Sequence, residues 1–322
     1  MRERVSPYGC NDGSIQFLPA ADIDFTKLHS LLSHAFAHNH GSAPTIPSAS
    51  ELASKYQTPH GTSYLALREE RGEYVAANGA LHMLLRGPNG SSEAWMSCDT
   101  ATRTSHRGQG LFSGCINSIR SNLPTDSVFF GFPNLASIKG FEKIGWRTKC
   151  VLPIWAAWTG VGQSARPTPA QCSQSPPQNF TVPHLRIEKT NSYLNWRYPS
   201  NSPVYSRLSG TVQGEEYLLI TRQLPLSGVC TTLVLEHLYT TPSGFTSGLR
   251  AARQLARHQG STLLVTSPKA SETSQLMRAG FIKIPSRMNP RPIRLMGQGL
   301  GKASEKLWCD SWLVSLGDRD AL

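Results

Sequence analysis

Two stretches of this chain, 135 residues apart, carry the same punctuation. Pro133 and Gly145 are separated by 12 residues, and so are Pro268 and Gly280. Each proline follows a short apolar run, VFFGF in the first case and TLLVTS in the second. Each glycine precedes an aromatic, Trp146 or Phe281, that opens a new extended run. A proline that closes a buried strand, a helical interval and a glycine at the position where φ turns positive make a strand–helix–strand unit. The same shift lays the extended run 94–102 (AWMSCDTAT) on 229–237 (VCTTLVLEH) and the helical run 111–121 on 246–256. A chain that writes one supersecondary unit twice is expected to fold as two halves of common topology. Only the first copy has a basic, glycine-bearing loop, RGQG at 107–110; its counterpart is PSGF at 242–245.

The rest of the pattern fits an α/β fold with mixed sheets. Residues 15–18 read as a strand, and 62–68 and 73–85 as two strands around the turn Glu69–Gly72. Residues 22–37 place Leu28, Leu31, Leu32, Ala35 and Phe36 at helical spacing, with Asp22 or Asp24 as the cap. The polar, proline-bearing stretch from there to His60 predicts no element. Leu111, Cys115, Ile116 and Ile119 form one helical face; 127–132 is a short buried strand, 135–144 a helix and 146–156 a strand. Residues 159–180 are rich in Pro, Ser and Gln and read as a linker. Further strands are expected at 216–223 and 229–239. The organisation is thus a first domain over 1–157, a linker over 158–180 and a second domain over 181–322.

Composition narrows the classes. Of 322 residues, 39% are hydrophobic and 16% charged, too apolar for a disordered chain. No run approaches the ~20 apolar residues that cross a bilayer, and the opening MRERVSPYGCNDGS lacks the apolar run of a secretory signal. The seven cysteines are scattered, with no C-x-x-C pair, which suggests neither a zinc site nor a disulfide framework. Thiols in a cytoplasm are the plain reading. The net charge of +11 suits a polyanionic partner: nucleic acid, an acidic surface or a phosphate-rich co-substrate.

The RGQG loop bears on the choice, although taken alone it reads equally as a surface turn with ordinary glycines. Amides at the start of a helix are unpaired and sit at the positive end of its dipole. Glycines let the backbone come close to an anion, and Arg107 adds a full charge. A diphosphate is the natural ligand of such a nest. The loop is neither a P-loop, since no Gly-Lys-Ser/Thr follows, nor a dinucleotide fingerprint.

The run from Asp99 to Trp146 resembles the GNAT superfamily of acyl-CoA-dependent N-acyltransferases. That superfamily carries an Arg/Gln-x-x-Gly-x-Gly/Ala loop after its fourth strand, and Arg107-Gly-Gln-Gly110-Leu-Phe112 matches it with Phe112 in the usual small-residue slot. GFPN at 131–134 and FEKIGW at 141–146 look like a branch of the superfamily that often carries a second, degenerate half. The resemblance implies two GNAT-like halves, each a central mixed sheet flanked by helices, with the second shaping the acceptor site. It implies acetyl-CoA, or another acyl-CoA, as co-substrate and no metal. Arg107, Gly108, Gln109, Gly110, Leu111 and Phe112 would hold the diphosphate. Thr100, Ala101 and Thr102 would run along the pantetheine arm, and Asn134 and Ser137 would lie on its far side. Asp99, just before the loop, is the candidate base for the incoming amine. Where many members place a thiolate-protonating tyrosine this chain has Phe141, which has no proton to give. An acid from the second half (Tyr205, Tyr239 or His237) is the alternative to proximity alone.

These features imply N-acylation of a small-molecule amine, most simply N-acetylation of a metabolite or amino sugar. The alternatives are a longer acyl chain placed on a peptide or protein amine, and a non-catalytic CoA- or nucleic-acid-binding module. No membrane partner is expected. His29, His34, His38 and His40 cluster without a carboxylate or cysteine at ligand spacing and read as a solvated or substrate-facing helix end; the resemblance implies a second reading, in which they line the acceptor pocket. Glu236 and His237 end the second half's equivalent strand. Tyr193, Trp196, Tyr198 and Tyr205 read as an interface between halves, with a sugar or peptide groove as the alternative. Arg250, Arg253, Arg257 and His258 form a basic helix stripe, ordinarily a solvated face. The closing WLVSLGDRDAL reads as a final strand.

Overall fold

A computed structural model describes residues 14–36, 46–88, 90–160, 184–212, 215–226, 228–268, 270–289 and 292–319. The predicted linker at 159–180 lies almost wholly outside them, as do His38 and His40. The first part of the chain runs β1 (Ile15–Pro19), α1 (Phe25–Phe36), α2 (Ala49–Tyr56), β2 (Tyr64–Glu70), β3 (Glu73–Gly87), β4 (Gly90–Thr102), α3 (Leu111–Asn122), β5 (Val128–Gly131), α4 (Leu135–Lys143), β6 (Arg147–Val151) and β7 (Trp155–Trp158). The second runs β8 (Arg186–Ile187), α5 (Asn191–Arg197), β9 (Tyr205–Val212), β10 (Glu215–Leu226), β11 (Val229–Tyr239), α6 (Pro242–His258), β12 (Leu263–Thr266), α7 (Thr273–Arg278), β13 (Ile282–Lys283), β14 (Arg294–Gly299) and α8 (Lys302–Cys309). Asp24, not Asp22, caps α1: its Oδ1 accepts from the amides of Thr26 (2.9 Å) and Lys27 (3.2 Å).

The strands form two mixed sheets flanked by helices, as the sequence pattern predicts. One has the order β1-β2-β3-β4-β5-β14-β6, with β8 on β3; the other is β13-β7-β12-β11-β10-β9. Each contains one parallel pair, β4 with β5 and β11 with β12. Sheet membership does not follow chain order: β14 enters the first sheet between β5 and β6, and β7 enters the second between β12 and β13. The single strand predicted at 146–156 is therefore two. Pro153 has no amide to offer a ladder, and the chain leaves one sheet and joins the other across it. The predicted final strand is also corrected: Trp312 makes one parallel bridge to Leu185, and Leu316–Asp318 is a 3-10 turn.

One core lies between the sheets and takes Leu65, Leu67, Leu81 and Phe130 from the first and Leu218, Ile220, Leu233 and Val265 from the second. Tyr193 and Tyr198 are buried in it, and Trp196 Nε1 donates to Ser54 O in α2 (3.1 Å). On the outer face of the first sheet, α3 buries Leu111, Cys115, Ile116 and Ile119, the four residues its spacing predicts. Burial pushes the Cys115 thiol up to about 12, so it is an inert packing group.

The two helices that end at Gly145 and Gly280 close in the same way, as does α6 at Gly260. Trp146 N donates to Phe141 O and Gly145 N to Glu142 O; 135 residues on, Phe281 N donates to Leu276 O and Gly280 N to Met277 O. Gly145 and Gly280 both have positive φ, +90° and +76°. The helices correspond two residues earlier than a uniform shift places them. The buried face of α3 maps onto Gly244, Gly248, Leu249 and Ala252 of α6, and Arg120→Ile144 O (3.4 Å) is matched by Arg253→Ala279 O (2.7 Å).

Candidate functional site

The site is built where β4 parts from β5. The two pair in parallel only from Ala94↔Val128 to Ser97↔Gly131. Beyond Ser97, β4 continues on β3 as far as Ala76↔Thr102, so its other edge faces a notch. There β4 also carries a bulge. Gly79 pairs with Cys98 and Ala77 with Ala101, which leaves Asn78 opposite both Asp99 and Thr100. Asp99 adopts φ +47°, a left-handed conformation that aspartate tolerates better than most residues. Buried Asn78 pins the bulge by donating from Nδ2 to Ser97 Oγ (2.9 Å) and Thr100 Oγ1. Ala101 is buried in this stretch, and Thr100 and Thr102 are half-buried.

The carboxylate of Asp99 is held from α2. Lys55 Nζ donates to both oxygens (3.0 and 2.9 Å) and Tyr56 Oη donates to Oδ2 (2.9 Å). The Lys55 and Asp99 side chains keep 15% and 13% exposure, so the pair reaches solvent. Gly79 makes the approach: a Cβ there would overlap the Tyr56 hydroxyl. Sequence reasoning missed α2 and with it Lys55 and Tyr56. The available signal was Ser48-x-x-Glu51, which forms a capping box: Glu51 N donates to Ser48 Oγ (3.3 Å) and Ser48 N to Glu51 Oε2 (2.8 Å).

The loop that follows is fixed at its base and open at its tip. Arg103 N donates to Val75 O (2.9 Å), its Nε donates to Tyr74 O (3.1 Å), and its guanidinium pairs with Glu73 (2.8 Å). His106 Nε2 lies 3.1 Å from Glu70 Oε2. Arg107, Gly108, Gln109 and Gly110 are all exposed. Gly108 and Gly110 have φ +80° and +77°, and a Cβ on either would meet nothing within 4 Å. Their glycine requirement is conformational, and the space around them is free. Gly110 is the N-cap of α3, with no side-chain cap on the first turn. Such amides face outward with the positive end of the helix dipole. The donor set is the one an oligophosphate needs, so the residues present fit the diphosphate of a CoA ester.

The other predicted site residues divide. Asn134 caps α4, accepting from Ser137 N (3.0 Å), and Ser137 Oγ donates back to Asn134 O (3.1 Å). Phe112 is half-buried and meets Phe141 edge-on at 5.1 Å. Phe141, which the resemblance implies on the cofactor side, is 3% exposed and lies 4.4 Å from Trp146 in the core. Tyr205, Tyr239 and His237 are engaged in the second half, with Tyr198, Glu272 and Phe245 respectively. In α1, His29 Nδ1 lies 2.9 Å from Pro47 O.

The stretch 135 residues on lacks the loop but has a buried ion-pair cluster. PSGF does not form a loop; it is the first turn of α6, where Thr241 caps Gly244 N (3.2 Å). Glu236 flanks a bulge of β11, where Leu235 is the extra residue between the pairs Ile220↔Glu236 and Thr221↔Val234. Like Asp99 it meets a lysine and a tyrosine, Lys189 Nζ at 2.7 Å and Tyr198 Oη at 2.8 Å. Here the 3-10 turn Leu316–Asp318 covers the group, Asp318 joins Lys189, and Glu236 is 1% exposed. Burial pushes the Glu236 carboxyl above its ordinary value, only partly offset by Lys189. Burial works against the charge on Lys189, but Asp318 and Glu236 outweigh it and hold its pKa above 10.5. A cavity of about 60 Å³ beside these residues has room for little more than water.

This architecture recurs in solved structures. A conserved protein of unknown function from Enterococcus faecalis V583, described as a probable N-acyltransferase, aligns with a TM-score of 0.57 and 10% identity over 89% of this chain and 72% of its own. A GCN5-related N-acetyltransferase from Anabaena variabilis ATCC 29413 aligns with a TM-score of 0.58 and 9% identity over 89% of this chain and 73% of its own. The chain thus has the GCN5-related N-acetyltransferase fold. No protein-family model matches it, and no curated protein is similar to it in sequence.

Proposed function

We propose that the chain is an acyl-CoA-dependent N-acyltransferase, most simply an N-acetyltransferase, acting on the amine of a small metabolite or amino sugar. The observation that carries this reading is the pair of left-handed glycines, Gly108 and Gly110, at an uncapped helix start beside the notch between β4 and β5. Loop amides 108–112 and Arg107 grip the donor's diphosphate. The open edge of β4 at Thr100–Thr102 receives the extended arm. In the reaction the amine nitrogen bonds to the thioester carbonyl carbon, the C–S bond breaks and the thiolate leaves. Asp99 accepts the amine's proton, while Lys55 and Tyr56 act as positioning residues for its carboxylate. With phenylalanine at position 141, that position supplies no acid, and a CoA thiolate can depart without one. The second half is a degenerate copy whose closed cluster serves stability and whose face borders the acceptor.

Turnover tests this. With a panel of acyl-CoA donors and small amines, thiol should be released from acetyl-CoA in an amine-dependent manner. Release only from long-chain donors with peptide amines would replace the acceptor and donor proposed. Binding of donor with no thiol release from any pair would leave a non-catalytic CoA-binding module.

A further inference from the structure

A second basic feature, built from α6 and α7, is not used by the reaction above. Between α6 and α7 is a groove of about 460 Å³, within the ~300–1,000 Å³ typical of small-molecule sites. Its walls carry three arginines: Arg250 and Arg253, one turn apart on α6, and Arg278, the last residue of α7. Thr246 and Gln275 add polar groups, and no acidic residue lines it. Among the described residues none of the three arginines is ion-paired with a carboxylate.

Arg253 is pre-positioned. Its Nη2 donates to Ala279 O (2.7 Å), and its guanidinium lies 5.7 Å over the buried Phe281 ring. Partial burial, aided by neighbouring Arg257, lowers its pKa from the ordinary 12.5. The first half keeps the anchor, Arg120 on Ile144 O, but has Asn117 where Arg250 stands, so the extra charge belongs to the second half. Guanidinium groups crowded round one concavity repel each other, and a bound polyanion relieves that repulsion. Their planar forks match phosphate oxygens two at a time.

We propose that the α6–α7 groove is a second anion site, which takes a small oligophosphate, free or carried on a nucleoside, between Arg250, Arg253 and Arg278. Its size favours a compact anion over a nucleic-acid strand. The proposal does not depend on acyl transfer.

The test is calorimetric titration of the full chain with inorganic triphosphate, ATP and a single-stranded oligonucleotide, repeated on Arg250→Glu/Arg278→Glu and on Arg107→Glu. Both substituted groove positions are exposed, so melting temperature should hold. Triphosphate should bind the unaltered chain, weaken at least about tenfold in the groove variant and persist in Arg107→Glu. Tighter binding of ATP than of triphosphate would identify a nucleoside-borne ligand; equal binding, a free one. Binding unaffected by the groove substitutions, or lost only with Arg107, overturns the proposal. So does an oligonucleotide whose affinity grows with length and exceeds that of triphosphate.

Discussion

Asp99→Asn should lower kcat by about a hundred- to ten-thousand-fold and leave donor affinity within a few-fold, the range expected when a general base is removed. The argument is geometric. Asp99 stands at a bulge whose left-handed backbone turns it out of the strand, next to the notch where β4 and β5 separate. It is the carboxylate held there, with Lys55 and Tyr56 fixing both its oxygens. Asparagine keeps the shape and its Oδ1 can still accept from Lys55 and Tyr56, while its Nδ2 replaces one acceptor of Lys55, so a small loss of melting temperature is expected with the donor loop unchanged. The split between kcat and donor binding separates this role from a structural one, which would move both together with the melting temperature. An Asp99→Asn chain with unchanged kcat would remove Asp99 from the mechanism.

The largest stability effect should come from Lys189→Met. Truncating one partner of a buried ion pair typically costs about 3–5 kcal/mol, because the remaining charge is stranded. Here two carboxylates, Glu236 and Asp318, are left facing each other at 1% and 3% exposure. The sign with pH follows from their burial. Glu236 already has a carboxyl raised above the ordinary 4.5. A carboxyl that is raised on folding contributes stability below its unfolded value and loses it as pH climbs through its folded value. The deficit of Lys189→Met should therefore be larger at pH 8 than at pH 5 in urea denaturation. In the unaltered chain Lys189 is raised too, so its contribution is complete below 10.5 and is lost above it. A deficit under about 1 kcal/mol, the scale of an exposed pair, or one that does not change with pH, would contradict this account.

Local features of both sites were readable in the sequence because they depend on spacing or on single residues. The buried face of α3, the positive-φ glycines 108, 110, 145 and 280, and the strand–loop–helix order around them all follow from periodicity and glycine chemistry. Long-range features were not readable. Nothing in the run 146–156 announces that Pro153 divides it between two sheets, because the partners, Ile293 and Ile284, lie over a hundred residues away. Asp99 was visible as a carboxylate before the loop, yet its partners come from a short helix in a polar stretch whose capping box was the only local sign. A uniform shift of 135 residues lays PSGF on RGQG. Proline at the first helical position and Thr241 as cap instead make it a helix start, which is why the helices of the two halves correspond two residues off the uniform shift.

The central claim is that the main-chain amides from Gly108 to Phe112 hold the donor's diphosphate. Backbone amide chemical shifts of the isotope-labelled chain, titrated with CoA and separately with pantetheine, test it most directly. The account predicts that CoA moves the amides of Gly108, Gly110, Leu111 and Phe112 more than any others, and that pantetheine, which has no diphosphate, leaves them in place. Equal shifts with both compounds, or CoA-induced shifts concentrated elsewhere in the chain, would contradict it.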